Sequence, residues 1–137
     1  MLLDIPAFGP WGSILAPMST RAIRGAIQVD EDSVAAIRQG VVELLQEVMR
    51  ANDLLPADVI SVILTATPDL TADFPAAAAR EIGFGAVPLL CAAEINVPGA
   101  LPRVIRVMLH CETSKTAAEV SHIYLKGAQA LRRDLAQ

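Results

Sequence analysis

Hydrophobic and polar residues follow two different periods along the chain, and the period distinguishes helices from strands. Between residues 34 and 48, apolar side chains recur every three or four positions, which places them on one face of an amphipathic helix. Asp30, Asp32 and Ser33 precede this run, and each can cap the first turn. The pattern predicts a helix of about five turns that ends near Asn52.

Runs of β-branched and other apolar residues predict strands. They cover residues 21–29, 58–67, 86–95, 103–113 and 121–131. In the last run, His122, Tyr124 and Lys126 alternate with apolar residues, which is typical of a strand with one polar face. Residues 74–83 have an early proline, four alanines and a final glycine, so we expect a short helix there. The order β-α-β-α-β-β-β predicts an α+β fold or an α/β-type layer, in which helices pack on one face of a mixed sheet of about five strands.

The composition suits one domain with an aliphatic core. The chain has 137 residues, of which 53% are hydrophobic but only 4% aromatic. A chain of this size can bury about two-thirds of the surface that it exposes when unfolded. So much apolar surface also favours burial against further copies of the same chain. Cys91 and Cys111 lie in apolar runs, and we expect them to be buried free thiols.

Charge and hydropathy argue against two classes of partner. The formal net charge of −4 and the lack of a run of Lys or Arg argue against nucleic acid. No apolar run approaches the ~20 residues that span a bilayer, so we expect no membrane partner. Residues 1–20 lack the basic start of a signal peptide. We interpret them as a disordered leader or a misassigned start before one domain at 21–134, and we expect a cytoplasmic protein.

Charged residues lie inside the most apolar part of the chain. Residues 88–110 contain Glu94, Arg103 and Arg106 within the sequence PLLCAAEINVPGALPRVIRVMLH. A buried charge without a partner costs several kcal/mol, so each of these side chains needs one. Arg106 lies at the centre of its strand, and we predict a pairing role for it. Arg103 begins the same strand with the opposite parity, so we expect it to point to the other face and to be solvated.

The sequence alone allows two interpretations for each of four polar residues. Arg24 lies mid-strand beside Gly25, and it either extends from a sheet edge into solvent or binds a ligand. Glu94 ends its strand before a Pro-Gly loop and is either solvated or part of a site. Tyr124 can donate its hydroxyl to a ligand or within the fold. Arg80 is either a site residue or a surface residue paired with an acidic side chain.

The sequence lacks the common catalytic motifs. It contains no Gly-rich phosphate loop, no GxSxG elbow and no metal-ligand cluster, and neither histidine has an obvious nucleophile partner. We therefore expect no metal site. Several arginines, a glutamate, a tyrosine and a thiol suit the binding of a small anion that carries carboxylates, through guanidinium forks and hydrogen bonds.

Several short motifs occur in a fixed order along the chain. They are RGA at 24–26, TATPDL at 65–70, FPA followed by AxR in 74–80, CxxE at 91–94, VPGALPRVIRVM at 97–108, and YL and LR in 124–132. Together they resemble the trimeric α/β class of chorismate mutase, which is distinct from the all-helical class. The resemblance implies an intramolecular Claisen rearrangement of chorismate to prephenate, without a cofactor, in phenylalanine and tyrosine biosynthesis. It also implies a homotrimer, with a pseudo-α/β barrel and active sites between subunits.

The resemblance implies a role for each site residue. Arg106 would contact the ether oxygen and a carboxylate of chorismate, and Arg24 and Tyr124 would hold carboxylate. Glu94 would accept a hydrogen bond from the ring hydroxyl, and Cys91 would contact the same end of the substrate. The remaining residues complete the cleft: Phe74 and Arg80 from a neighbouring subunit, and Leu131 and Arg132 near its mouth.

Three departures from the family pattern affect this site. Ala77 stands where the family often has a lysine, and Arg133 replaces the proline of the family's LRPDL motif. Cys91 and Glu94 differ in strand parity, so both can face one pocket only if the strand ends or bulges between them. We expect a bulge.

Two other functions remain open at this level. Imine/enamine deaminases are trimeric α+β proteins that also set an arginine and a glutamate at subunit clefts. A non-catalytic module could instead bind a metabolite of the aromatic pathway and regulate a partner. The motifs TPDL and VPGALPRVIRVM favour the mutase over the deaminase. A sensor would not need a cation at the ether oxygen, which argues against the binding module.

Overall fold

The computed structural model describes residues 17–132. Most of the predicted leader, together with Arg133, lies outside the described residues. The strands are β1 Ser19–Gln28, β2 Val59–Ala66, β3 Leu89–Ala93, β4 Val104–Thr113 and β5 Ile123–Leu125. The helices are α1 Val34–Ala51 and α2 Pro75–Ala79, with 3-10 segments at Pro56–Asp58 and Lys126–Arg132 and a kinked turn at Arg80–Phe84.

The strands form one mixed sheet in the order β3-β2-β4-β1-β5. β4 runs antiparallel to both β1 and β2, whereas β5 is parallel to β1 and β3 is parallel to β2. Parallel neighbours need a crossover connection, and α2 lies in the one between β2 and β3. The predicted α+β fold with a mixed sheet of five strands is confirmed.

The long helix α1 begins and ends with side-chain caps. Ser33 accepts a hydrogen bond from the backbone N–H of Ala36 at 3.1 Å, as an N-cap does. Asn52, which is 1% exposed, caps the other end. Its side-chain nitrogen donates to the carbonyls of Val48 and Ser121, and its Oδ1 accepts from the N–H of Ser121 at 2.7 Å. The predicted end of α1 is therefore confirmed, and Asn52 also ties it to the segment before β5.

One face of the sheet packs against α1 and α2 and contains the main hydrophobic core. Ile27 of β1, Leu109 of β4 and Leu44 of α1 are each 0% exposed within it. Gly40 lets α1 approach the sheet closely, since a Cβ at that position would lie 2.5 Å from Cγ1 of Val29. This face is covered by helices, as the sequence predicts.

The second helix is shorter than the sequence predicts. It ends at Ala79, and the next five residues form a kinked turn. Gly83 has φ 109°, a left-handed value that favours glycine and is incompatible with a continuing helix. The predicted helix over 74–83 is therefore right for its first half and wrong for its second.

The predicted strand over 121–131 is also mostly wrong. Only Ile123–Leu125 pairs with β1, and a 3-10 helix follows from Lys126 to Arg132. Lys126 has φ 55°, which turns the chain out of the extended conformation. Ala128 is then buried against Ala26 and Val104, on the face that α1 and α2 leave uncovered.

Both cysteines are free. Cys111 is fully buried, and burial is the main cause that raises the pKa of its thiol. Cys91 is only half-buried, so the predicted burial is confirmed for Cys111 alone of the two. Within residues 17–132, no helix has both the length and the hydropathy to cross a membrane.

Candidate functional site

The face of the sheet turned away from α1 and α2, which we call the open face, carries the charged side chains. Arg106 of β4 lies in register with Ala26 of β1 on one side and Thr65 of β2 on the other. Ala26 is in turn in register with Tyr124 of β5. Arg24 lies two positions before Ala26 in β1, and so on the same face. Four polar side chains from four strands therefore share one face.

Two adjacent clefts meet at Arg106. The arginine cleft, about 240 Å³, is lined among others by Arg24, Thr65, Arg106, Tyr124 and Arg132. The loop cleft, about 340 Å³, is lined among others by Glu94, Arg106, Leu131 and loop residues 95–102. Arg106 lines both clefts, so one ligand that filled the two would contact it. The structure thus brings together six of the nine residues that the sequence assigns to the site.

Arg106 and Glu94 form an ion pair between the two clefts. Nε of Arg106 donates to Oε1 of Glu94 at 3.1 Å, and the two side chains are 43% and 16% exposed. Because Arg106 uses Nε for this bond, the terminal nitrogens of its fork can still donate to a ligand. The partner that the sequence requires for Arg106 is thus Glu94. The pair is partly exposed, so a bound molecule can reach it.

Glu94 has a second partner that sequence analysis missed. Oγ1 of Thr65 donates to Oε2 of Glu94 at 2.7 Å. The backbone N–H of Glu94 also donates to the carbonyl of Ala66, one residue further along β2. In the sequence, Thr65 is marked only by its position in the motif TATPDL. A threonine within an apolar strand does not by itself indicate a carboxylate partner.

Arg24 is held through its backbone by His122, the residue just before the edge strand β5. Its N–H donates to Nδ1 of His122 at 3.0 Å, so this ring nitrogen is an unprotonated acceptor. Burial is the main cause that lowers the pKa of His122, and the charges of Arg24 and Arg132 lower it further. A neutral His122 therefore aligns Arg24 without adding a charge to the arginine cleft.

Hydrogen bonds from the turn at residues 67–69 close the loop cleft on one side. Asp69 accepts from Oγ1 of Thr67 at 2.5 Å and from the N–H of Arg103 at 2.9 Å. Arg103 has φ 54°, and its Nε donates to the carbonyl of Val29 at 2.9 Å. The expectation that Arg103 is solvated is therefore wrong: it is half-buried, and the bonds on either side of it hold its left-handed backbone.

The C-terminal 3-10 helix covers one end of the open face. Tyr124 and Leu131 pack against the small buried cluster that contains Ala26 and Ala128. Gln28, beneath this helix, donates from Nε2 to the carbonyl of Pro102 at 3.0 Å, which links β1 to the loop cleft. The helix thus forms a wall shared by the two clefts, since Leu131 lines the loop cleft and Arg132 lines the arginine cleft.

Phe74, Cys91 and Arg80 lie elsewhere. Phe74, which is 71% exposed, and Cys91 line a separate Phe74 cleft of about 560 Å³. Cys91 is in register with buried Leu64, so it points to the side of the sheet opposite Glu94. The pairing of β2 with β3 is regular up to Ala93, so the expected bulge between Cys91 and Glu94 is wrong.

Arg80 follows the C-terminal end of α2 and is exposed. It does not line the arginine cleft, the loop cleft or the Phe74 cleft. Among residues 17–132, there is no group of three or more His, Cys, Asp or Glu side chains that could hold a metal ion. Around Arg106, the open face presents guanidinium forks, the Glu94 carboxylate and hydroxyl groups, which suits a ligand with several oxygens and negative charge.

Comparison with known proteins gives one consistent family. A family model described as chorismate mutase type I matches residues 20–135. The Chorismate mutase AroH of Thermus thermophilus is 50% identical over 116 residues, which are 84% of this chain and 95% of that protein. The Chorismate mutase AroH of Bacillus subtilis (strain 168) is 41% identical over 119 residues, 86% of this chain and 94% of that protein. A solved chorismate mutase from Clostridium thermocellum superposes with a TM-score of 0.79 at 44% identity, covering 80% of this chain and 98% of its own.

Proposed function

The chain belongs to the chorismate mutase type I family and is a chorismate mutase, an isomerase, and we propose that it performs the rearrangement on the open face at clefts between the subunits of a homotrimer. The observation that carries this proposal is the Arg106–Glu94 pair at the junction of two clefts, one of which is lined by the further arginines Arg24 and Arg132. Family membership also favours the mutase over the deaminase considered above.

The Claisen rearrangement breaks an ether C–O bond and forms a C–C bond within one molecule, and it needs no proton transfer. A protein accelerates such a step in two ways. It holds the flexible dianion in a conformation close to the transition state, and it stabilises the negative charge that develops on the ether oxygen. A site of cationic forks and hydrogen-bond donors, without an acid–base pair, is suited to both tasks.

Arg106 is the residue best suited to the ether oxygen. Its Nε bond to Glu94 fixes the plane of the guanidinium, and the terminal nitrogens remain available to the substrate. A preorganised donor of this kind contributes about 10²–10³-fold to the rate. Arg106 lines both clefts, so it can contact the ether oxygen and a carboxylate together.

The other open-face residues bind the rest of the substrate. Arg24 and Tyr124 hold a carboxylate in the arginine cleft. Glu94 accepts the hydrogen bond of the ring hydroxyl, because a carboxylate with two partners still has unused acceptor positions. Leu131 and Arg132 border the mouth of the site on the C-terminal 3-10 helix.

Phe74, Cys91 and Arg80 act from a neighbouring subunit. Phe74 and Cys91 line one cleft, so the subunit that supplies one supplies the other. The apolar side chains Leu90, Ile95 and Val97 are 61%, 87% and 54% exposed around β3 and the loop that follows it. Such a cluster of exposed apolar groups is typical of a surface that is covered by another chain. A trimer would bring one subunit's Phe74 cleft against the next subunit's open face.

The first experiment follows the ultraviolet loss of chorismate with purified protein and with Arg106→Ala. We expect conversion to prephenate in the parent protein and almost none in the variant, with the fold retained. The control is Arg50→Ala, which removes an exposed arginine that pairs with Glu47 on α1 and should leave turnover unchanged. Binding of chorismate without conversion by the folded parent protein would instead support the non-catalytic module.

The second experiment tests whether sites are shared between subunits. Arg106→Ala and Arg80→Ala are each expected to be impaired, and the two are mixed by joint refolding. Random assembly places both intact arginines at about a quarter of the clefts, so activity should rise well above that of either variant. Sedimentation should give a trimer. A mixture no more active than its parents would contradict the shared site.

We also propose that the protein works in the cytoplasm. Both of its cysteines are free, which fits a reducing compartment. Fractionation of the source cells with a specific antibody would test this, and recovery outside the cytoplasmic fraction would contradict it.

A further inference from the structure

The carboxylate of Glu94 has a different partner on each oxygen. Oε1 accepts from Nε of Arg106 at 3.1 Å, and Oε2 accepts from Oγ1 of Thr65 at 2.7 Å. The Glu94 side chain is 16% exposed, so water can satisfy only a small part of its surface. Its orientation therefore depends on these two protein partners. Arg106 contributes a single N–H to this pairing, and one bond does not fix the rotation of a carboxylate plane.

Thr65 is placed by the sheet to supply the second bond. In β2 it is in register with Arg106 of β4 on one side and with Ala92 of β3 on the other. Glu94 follows β3 and is joined through its N–H to Ala66, so its side chain lies on the same face as that of Thr65. Threonine is β-branched and has few χ1 rotamers in a strand, so its hydroxyl is a rigid donor.

We propose that Thr65 is a positioning residue for the rearrangement, acting through Glu94. Its hydroxyl fixes the plane of the Glu94 carboxylate, so that the unused acceptor positions point towards the substrate hydroxyl and Arg106 stays aligned with the ether oxygen. This inference rests on the proposed function of the open face. Thr65 also lines the arginine cleft, but its hydroxyl proton is committed to Glu94.

The test compares two variants of Thr65, one that keeps its shape and one that keeps its hydroxyl. Thr65→Val keeps the shape and removes the hydroxyl, whereas Thr65→Ser keeps the hydroxyl. We expect kcat/KM to fall about 10- to 100-fold in Thr65→Val, the range for a hydrogen bond to a charged group. Most of the loss should lie in kcat, because the misaligned carboxylate and guanidinium act on the transition state. Thr65→Ser should recover most of the activity.

A matched control exists on the same face of the sheet. Oγ1 of Thr20 donates to Oε1 of Glu112 at 2.6 Å, an exposed Thr–Glu pair at the far ends of β1 and β4. Thr20→Val removes the same kind of bond outside the clefts and should leave kcat and KM unchanged. Melting temperatures of all variants separate loss of fold from loss of alignment, since valine is well tolerated in a strand.

A double-mutant cycle distinguishes positioning from a purely structural role. In the Glu94→Ala background the acceptor of the Thr65 hydroxyl is gone, so Thr65→Val should change kcat/KM by less than about twofold. Additive losses would overturn the proposal, as would a Thr65→Val enzyme with parental kcat, or a Thr65→Ser enzyme as slow as Thr65→Val. Because every value is compared with an active parent enzyme, an inactive parent would count against the proposed function and not against Thr65.

Discussion

The two faces of the sheet carry opposite kinds of side chains on the same strands. In β4, Val107 and Leu109 face α1 and are 3% and 0% exposed, whereas Arg106 and Met108, which alternate with them, face the clefts and are half-buried. The same division holds in β1, where Arg24 lies beside buried Ile23. Because successive residues of a strand point to opposite faces, one short segment can stabilise the fold and carry the chemistry.

This division makes the effects of substitutions separable. A change on the helix-covered face removes packed apolar volume and should lower the free energy of unfolding. A change on the open face removes a charge or hydrogen bond near the clefts and should lower turnover. The following predictions test that separation, from the largest expected effect to the smallest.

The largest effect is expected from Arg106→Lys. Lysine keeps the positive charge but loses the planar fork that binds Glu94 and the substrate together. We expect kcat/KM to fall by at least about 100-fold, as for loss of a preorganised donor, with little change in the melting temperature. Steady-state kinetics and thermal unfolding measure both. Retention of more than a tenth of the activity would show that a point charge is sufficient.

Leu44→Ala tests the helix-covered face of the sheet and should lower stability without lowering turnover. Leu44 of α1 is 0% exposed in the helix-covered core, so its truncation leaves a cavity. We expect the free energy of unfolding to fall by about 2–5 kcal/mol, measured by denaturant titration. The kcat per folded molecule should remain that of the parent. A loss of kcat at full folding would mean that the two faces are coupled.

Gly40→Ala should give a smaller loss of stability. Alanine favours a helix by about 1 kcal/mol over glycine, but its Cβ would lie 2.5 Å from Cγ1 of Val29. A valine methyl cannot move aside as a flexible side chain does, and overpacking costs about 1–3 kcal/mol. We expect a net destabilisation of about 1 kcal/mol by denaturant titration. A more stable variant would show that α1 can shift away from the sheet.

The smallest effect concerns pH. Burial, with Arg24 and Arg132, lowers the pKa of His122 below its ordinary 6.5, so the unfolded chain binds this proton more readily than the folded one. The stabilisation is complete above pH 6.5 and is lost as the pH falls through the lower pKa of folded His122.

His122→Asn provides the comparison, because asparagine can accept the Arg24 N–H bond without titrating. Between neutral pH and pH 5, the parent should lose more unfolding free energy than this variant, measured by denaturant titration at a series of pH values. Parallel pH profiles for the two proteins would contradict the assignment to His122.

The predictions from sequence succeeded where the signal was local. Apolar spacing and the Ser33 and Asn52 caps predicted α1, and β-branched runs predicted β1, β2 and β4. The ordered motifs predicted the family, which the comparisons confirm. The residue roles and the trimer inferred from that family stay predictions.

Two of the failures share a cause, which is that partners distant in the sequence decided the outcome. The end of the predicted fifth strand became a 3-10 helix because Ala128 is buried against Ala26 and Val104 from β1 and β4. Arg103 is half-buried because Asp69 and Val29 bind it from other elements. Neither contact can be recognised from the spacing of apolar and polar residues in the neighbouring sequence.

The sequence by itself determined which residues could form strands, where α1 begins and ends, and which motifs relate the chain to its family. Only the tertiary structure decided that Glu94 faces Arg106 and Thr65 while Cys91 lies with Phe74 on the other side. The physical reason is register: hydrophobic period and caps act over a few neighbouring residues, but the pairing of strands sets which side chains meet across the sheet.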